Sequence, residues 1–424
     1  MLAKKFWPLF WTQFLGALND NVMKNAMVVM ITYKSLSVWG LDSASIVALS
    51  GGIFILPFFI FSMAAGQITD KHEKSQIVKL VKIWELLITI VASIGFFHHN
   101  VAWLLGALFM MGTHSAFFGP VKYSSLPQLV EKDQLVRATA YVEVGTVFAI
   151  LLGTILGGFL IAMPSGELYA AAGINIFALM GIFTGWRVSQ LPSAAKDLKI
   201  SLNPIAPLKE TIRLLNGKRD VLSAIIANSW FWLFGAAVLS VLPSYCKDFL
   251  RIDERGITAF LALWTIGTGV GAVLCDRLSR KIAYLGLVPI GAAGLSLFLF
   301  DLSRFTAQTQ SGLITITQFL STAEGFHQMA DFFLMAVSGG LFVVPLYTAM
   351  QERCEGLYRS RVIAGNNVFN ALFMVVAAVA IMVFHQTGIS LPTTFFIISI
   401  ANVLVCALIF FATPEYLASL TAKR

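Results

Sequence analysis

Long stretches without a single charge recur along this chain. Ser45 to Ala65, Ala371 to Phe384 and Phe395 to Ala412 contain no Asp, Glu, Lys or Arg. A helix needs about 20 consecutive apolar residues to cross a bilayer, and blocks of this length supply them. Composition points the same way: 57% of the 424 residues are apolar and 12% are charged. A soluble protein of this size carries about twice that charged fraction. The mean hydropathy is +0.79. The bilayer is this protein's solvent.

Hydropathy set against breaks predicts spans near 6–33, 44–68, 76–97, 101–128, 134–163, 168–189, 219–246, 257–275, 281–301, 327–351, 360–386 and 391–413. The expected fold is all-α, with twelve transmembrane helices in two six-helix halves. The first apolar run is long, is broken by Asn19-Asp20-Asn21 and lacks a small-residue cleavage site, so it reads as a retained span rather than a signal peptide. Cys246, Cys275, Cys354 and Cys406 stand singly with no CxxC pair, which suggests buried filler and neither a zinc site nor a disulfide framework. No cofactor and no metal site are expected.

Alternating the spans across the bilayer puts 23 of the 30 basic residues on the side holding both termini, Lys423 and Arg424 included, and five on the other. The positive-inside rule then places both termini in the cytoplasm. The basic loops face anionic membrane lipids, so the net charge of +8 needs no nucleic acid. The longest connection, 190–218, holds Pro192, Pro204 and Pro207 and divides the chain into an N-terminal half, 1–189, and a C-terminal half, 219–424. Within it, Pro207 to Leu215 reads equally as a short amphipathic surface helix or a plain polar loop.

A weak repeat links the halves. Gly66-Gln67-Ile68-Thr69-Asp70-Lys71-His72-Glu73-Lys74 follows the second span, and Ala272 to Lys281, with Asp276, Arg277, Arg280 and Lys281, follows the eighth. This resembles the G-x-x-x-D-[RK]-x-x-[RK] loop signature of the major facilitator superfamily, without its glycine in the second half. Gly66 permits close helix approach, while Asp70 can sit near a helix N-terminus and pair with basic side chains. Gly66, Asp70, Lys71, Asp276 and Arg277 are therefore read as a cytoplasmic latch.

An ionisable residue inside a span costs about 2.5–3.5 kcal/mol on insertion scales, so each needs a partner or a function. Asp20 lies about 21 Å along its helix from Phe6, deep in the membrane. Either it forms an i,i+4 pair with Lys24, or Asn19, Asp20 and Asn21 face a central path where the acid meets a cationic headgroup or a basic side chain. In the fourth span Gly119-Pro120 should interrupt the helix ladder just before Lys122, which then snorkels, pairs with Glu143 or holds a phosphate as a point charge. Glu143 is expected to pair with Lys122 or Arg137. His114 reads as a hydrogen-bonded core residue and Glu85 as the structural partner of Lys82. Gly153 and Gly157-Gly158 form a G-x-x-x-G packing face. Gly339-Gly340, Pro345, Gln351, Glu352 and Arg353, then Gly365-Asn366-Asn367, are the C-terminal counterpart.

The segments Gln13 to Asn21, Gly119 to Ser124, Glu143 to Gly158 and Gly340 to Leu346 with Gln351-Glu352-Arg353 resemble, in order and spacing, the bacterial lysophospholipid transporter family. The resemblance covers essentially the whole chain. It implies a major facilitator protein that moves lysophospholipids, chiefly lysophosphatidylethanolamine, from the outer to the inner leaflet for re-acylation. An acyltransferase and acyl-carrier-protein synthetase are implied partners, and Asp20, Lys122, Glu143 and Arg353 are the implied polar positions. An enzyme is not expected: His327 and Asp331 are separated by three residues where an acyltransferase H-x4-D pattern needs four, and His72-Glu73 lacks the second histidine of a zincin. The main rival is a proton-coupled exporter of small amphipathic molecules, with Asp20 or Glu143 carrying the proton. A membrane scaffold without transport has no need of midplane acids.

Overall fold

The computed structural model describes residues 2–201, 203, 205–215, 218–279, 284–306 and 312–421. Arg280, Lys281, Lys423 and Arg424 lie outside the described residues. The chain forms α1 (Phe6–Tyr33), α2 (Ser43–Lys71), α3 (Lys74–Phe97), α4 (Val101–Leu129), α5 (Leu135–Ala162), α6 (Gly166–Gly185), α7 (Ile205–Leu214), α8 (Arg219–Ser244), α9 (Glu254–Leu278), α10 (Leu287–Leu302), α11 (Ile316–Leu320), α12 (Ala323–Arg353), α13 (Arg359–Gln386), α14 (Leu391–Ala412) and α15 (Glu415–Thr421). Every expected span coincides with one long helix, to within six residues at each end. Among the described residues, eleven of these helices are long and apolar enough to cross a membrane. The twelfth long helix, α1, falls short because Gln13, Asn19, Asp20, Asn21, Lys24 and Asn25 dilute it.

Helix ends follow local chemistry. Asp42 caps α2 by accepting from the Ser45 amide at 2.9 Å, Glu73 caps α3 through Ser75 and Gln76, Asn100 caps α4 and Ser390 caps α14. Each occupies one of the amides that the first helical turn leaves unpaired. α4 runs through Pro120 and Pro127 as one helix. In a bundle, neighbouring groups can re-satisfy the backbone that a proline frees.

Two compact units result. The first takes Met1–Asn216 with Met350–Ala371, and the second takes Gly217–Ala349 with Leu372–Arg424. The end of α12 and the first turns of α13 thus pack within the first unit, as does the segment following α6. In that unit α1 lies along α5, where a side chain on Gly153 would meet Asn21 Cβ at 2.8 Å and one on Gly157 the Ala26 amide at 3.1 Å. The expected G-x-x-x-G face is therefore a close helix contact. Met23, Met27 and Met30 of α1 form the apolar core with Ile88 and Phe96 of α3 and Leu108 and Met111 of α4.

In the second unit Asn402 of α14 accepts from the Trp230 indole of α8 at 2.8 Å and donates to Ala292 O and Ser296 Oγ of α10. One amide so joins three helices. Leu404, Leu408 and Phe411 leave one face of α14 exposed, which only lipid tolerates at no cost. All four cysteines are free and buried.

Candidate functional site

Polar side chains of α1, α3 and α4 meet inside the first unit. Asn19 Nδ2 donates to Glu85 Oε1 at 2.8 Å, Lys82 Nζ bonds Glu85 Oε2 at 2.5 Å, and His114 Nε2 lies 3.3 Å from the same oxygen. Lys82 and Glu85 are fully buried. The lysine fits because glycines surround it: a Cβ on Gly16 would come within 2.6 Å of its ammonium, and Gly181 and Gly185 flank its stem. Its ammonium also lies 5.2 Å from the Phe118 ring centroid. The expected Lys82–Glu85 pair is present, and His114 contacts it without a hydrogen bond of its own among the described residues.

Asp20 stands beside this pair. Its Oδ2 accepts from Ser115 Oγ at 2.6 Å, while its Oδ1 accepts no hydrogen bond among the described residues. No Asp20–Lys24 ion pair occurs among the described residues; the Lys24 ammonium lies 5.9 Å from the Phe54 ring centroid instead. Asn21 turns back onto its own helix, donating to Ala17 O at 2.8 Å. Two acids and one lysine thus occupy this core, and a single Lys–Glu pair neutralises only one of the acids.

About two turns beyond Ser115 on α4, Lys122 is half-buried, with its ammonium 4.5 Å from the Tyr123 ring centroid. Glu143 accepts from the Tyr123 hydroxyl at 2.5 Å. Beside the expected basic neighbours, this hydrogen bond to Glu143 comes from a phenol, which needs no second buried charge. Lys122 still feels the charges of both Glu143 and Asp20.

At the far ends of α2 and α4 lies the Asp70 site. Asp70 is fully buried and accepts from the Ser360 amide at 3.1 Å and from Arg361 Nε at 3.2 Å. Arg361 also reaches Glu210 of α7 at 3.5 Å, and the segment open to two readings is a helix. A Cβ on Gly66 would meet Ala364 Cβ at 2.7 Å, which makes glycine the residue that admits α13. Ala194 and Ala195 donate to Asp70 O, and Leu191 donates to Glu73 Oε1 at 2.6 Å. Burial pushes the Glu73 carboxyl up, but hydrogen bonds from Leu191, Ser75 and Gln76 outweigh it and hold the group below the usual range. Lys71 is half-buried at the end of α2, Asp276 is half-buried and Arg277 exposed at the end of α9, and Arg353 is half-buried at the end of α12.

Residues 12–322 match the family of transmembrane secretion effectors, one of the major facilitator groups. The chain belongs to this family. Among its relatives is the lysophospholipid transporter LplT of Enterobacter sp. (strain 638), 25% identical over 80% of this chain and 78% of the relative. The lysophospholipid transporter LplT of Escherichia fergusonii is 27% identical over the same shares. The human organic anion transporter MFSD10 superposes with a TM-score of 0.75 at 12% identity, covering 95% of this chain and 99% of that one. The proton:xylose symporter XylE gives 0.72 at 14% identity, covering 96% and 95%. The fold is that of the major facilitator superfamily, and the chain is a multi-pass membrane protein of transporter type.

Within this transporter family member, sequence reasoning named Asp20, Lys122, Glu143 and Asp70 but missed the company they keep. Arg361 and Ser360 lie some 290 residues from Asp70, beyond any helical periodicity. Asn19, His114 and Ser115 join Glu85 and Asp20 only once α1, α3 and α4 pack. The i,i+3 spacing signalled the Lys82–Glu85 pair, whereas Gly16, Gly181 and Gly185, which open space for the lysine, meet only in the fold.

Proposed function

We propose that this chain is a lysophospholipid transporter of the bacterial inner membrane, with both termini cytoplasmic, working by alternating access. It moves lysophospholipids, chiefly lysophosphatidylethanolamine, from the outer to the inner leaflet, where an acyltransferase re-acylates them. The similarity to lysophospholipid transporters over about four fifths of the chain carries this reading. The chemistry of the first unit supports it. A zwitterionic headgroup brings a phosphate and an ammonium, and charge-assisted hydrogen bonds to both need one basic and one acidic partner. Lys122 supplies the first, and Asp20, whose Oδ1 accepts no hydrogen bond among the described residues, the second. Asp70 and Arg361, with Gly66, act as the latch whose release accompanies switching.

The test is lysophosphatidylethanolamine uptake into proteoliposomes. Lys122→Ala should depress uptake strongly, Lys122→Arg should restore part of it, and dissipating a proton gradient should change the initial rate little. A silent Lys122→Ala combined with strong gradient dependence would instead identify a proton-driven exporter, whose cationic cargo needs only the acid.

A further inference from the structure

We propose that the second unit carries a binding site for a first-row divalent cation, zinc being the best fit, formed by Asp301 at the end of α10 and His327 and Asp331 in the first turns of α12. The three side chains each turn one donor atom inward, and these atoms all lie within 4.8 Å of one another. His327 Nε2 is 2.9 Å from Asp301 Oδ2 and 3.4 Å from Asp331 Oδ2. A zinc ion sits about 2.0–2.2 Å from nitrogen and oxygen donors, which sets neighbouring donors roughly 3–3.5 Å apart. Two of the three spacings, 2.9 and 3.4 Å, are already close to the edges of such a coordination shell.

The second observation is Asp331 itself. It is 5% exposed, and its Oδ2 accepts no hydrogen bond among the described residues. A buried carboxylate oxygen without a hydrogen bond is costly, and this one is aimed at the His327 imidazole, 3.4 Å away. Asp301 and Asp331 also place two acids beside one imidazole, a charge excess that a dication removes. The sequence supplies the geometry simply: His327 and Asp331 are four residues apart and share one helix face. The spacing that fails an acyltransferase pattern is the one that brings two ligands together. The Phe305 ring, edge-on at 5.1 Å, fixes the imidazole plane. His327 and Asp301 have side-chain exposures of 53% and 33%, so the ion enters from outside and keeps water in its open positions. The mixed imidazole and carboxylate donors favour zinc, cobalt or manganese over magnesium and calcium, which prefer oxygen alone.

The purified full-length protein, stripped with chelator and desalted, is titrated with cobalt(II), followed by visible absorption, and with zinc(II), followed by calorimetry. One ion per chain should bind saturably, with magnesium competing poorly. Asp331→Asn and Asp301→Asn should each weaken binding by at least about tenfold, the scale on which even outer-shell support of a ligand acts. His327→Gln alters an exposed side chain and keeps the fold, so its loss of binding, at unchanged elution volume, separates ligand removal from unfolding. Absence of saturable binding by the wild type, or equal binding by all three variants, would overturn the site. Neither result depends on whether the protein moves lipid.

Discussion

Lys82 tolerates change poorly, because its charge is sealed inside the bundle and its ion pair among the described residues is with Glu85 at 2.5 Å. Removing one member of a buried pair leaves an uncompensated charge and costs about 3–5 kcal/mol, whereas replacing both by apolar groups of similar size is often near neutral. Glu85→Ala should therefore lower thermal stability in detergent by that amount, and the double variant Lys82→Met with Glu85→Leu should recover most of it. Equal losses in the single and double variants would mean that the pair is not the stabilising unit. The i,i+3 spacing made this pair legible in the sequence. The bond from Tyr123 to Glu143 was not, because charge reasoning looks for a cation and the donor that tertiary packing supplies is a neutral phenol.

At the scale of elements, hydropathy located all twelve long helices, since a span's length and apolarity are local properties. Among the diluting residues of α1, Asn19 and Asp20 also build the charge cluster. What the sequence left open was α7, a ten-residue helix too short for periodicity to decide, and the partner of Asp70, which comes from α13. That partnership makes a prediction. Asp70→Asn removes charge-assisted hydrogen bonds of about 1.5–3 kcal/mol from the start of α13. Amide hydrogen exchange over 360–364 should rise roughly tenfold to hundredfold, as that energy implies. Unchanged exchange would show that packing at Gly66, and not the carboxylate, holds α13 in place.

For the whole molecule, the asymmetry of basic residues predicts which loops meet the cytoplasm. Single cysteines at Asn100 and Arg304, both exposed, should react with an impermeant maleimide in intact cells, whereas Lys196→Cys, also exposed, should react only after lysis. The native cysteines are buried and give little background. External labelling of Lys196→Cys would invert the orientation. The central claim is transport itself, and it is tested most directly by following labelled lysophosphatidylethanolamine across the bilayer of proteoliposomes. The account predicts that the wild type speeds its appearance in the protected leaflet well above protein-free vesicles, and that Asp20→Asn, folded and equally incorporated, loses most of that rate. A wild-type rate equal to that of protein-free vesicles would contradict the account.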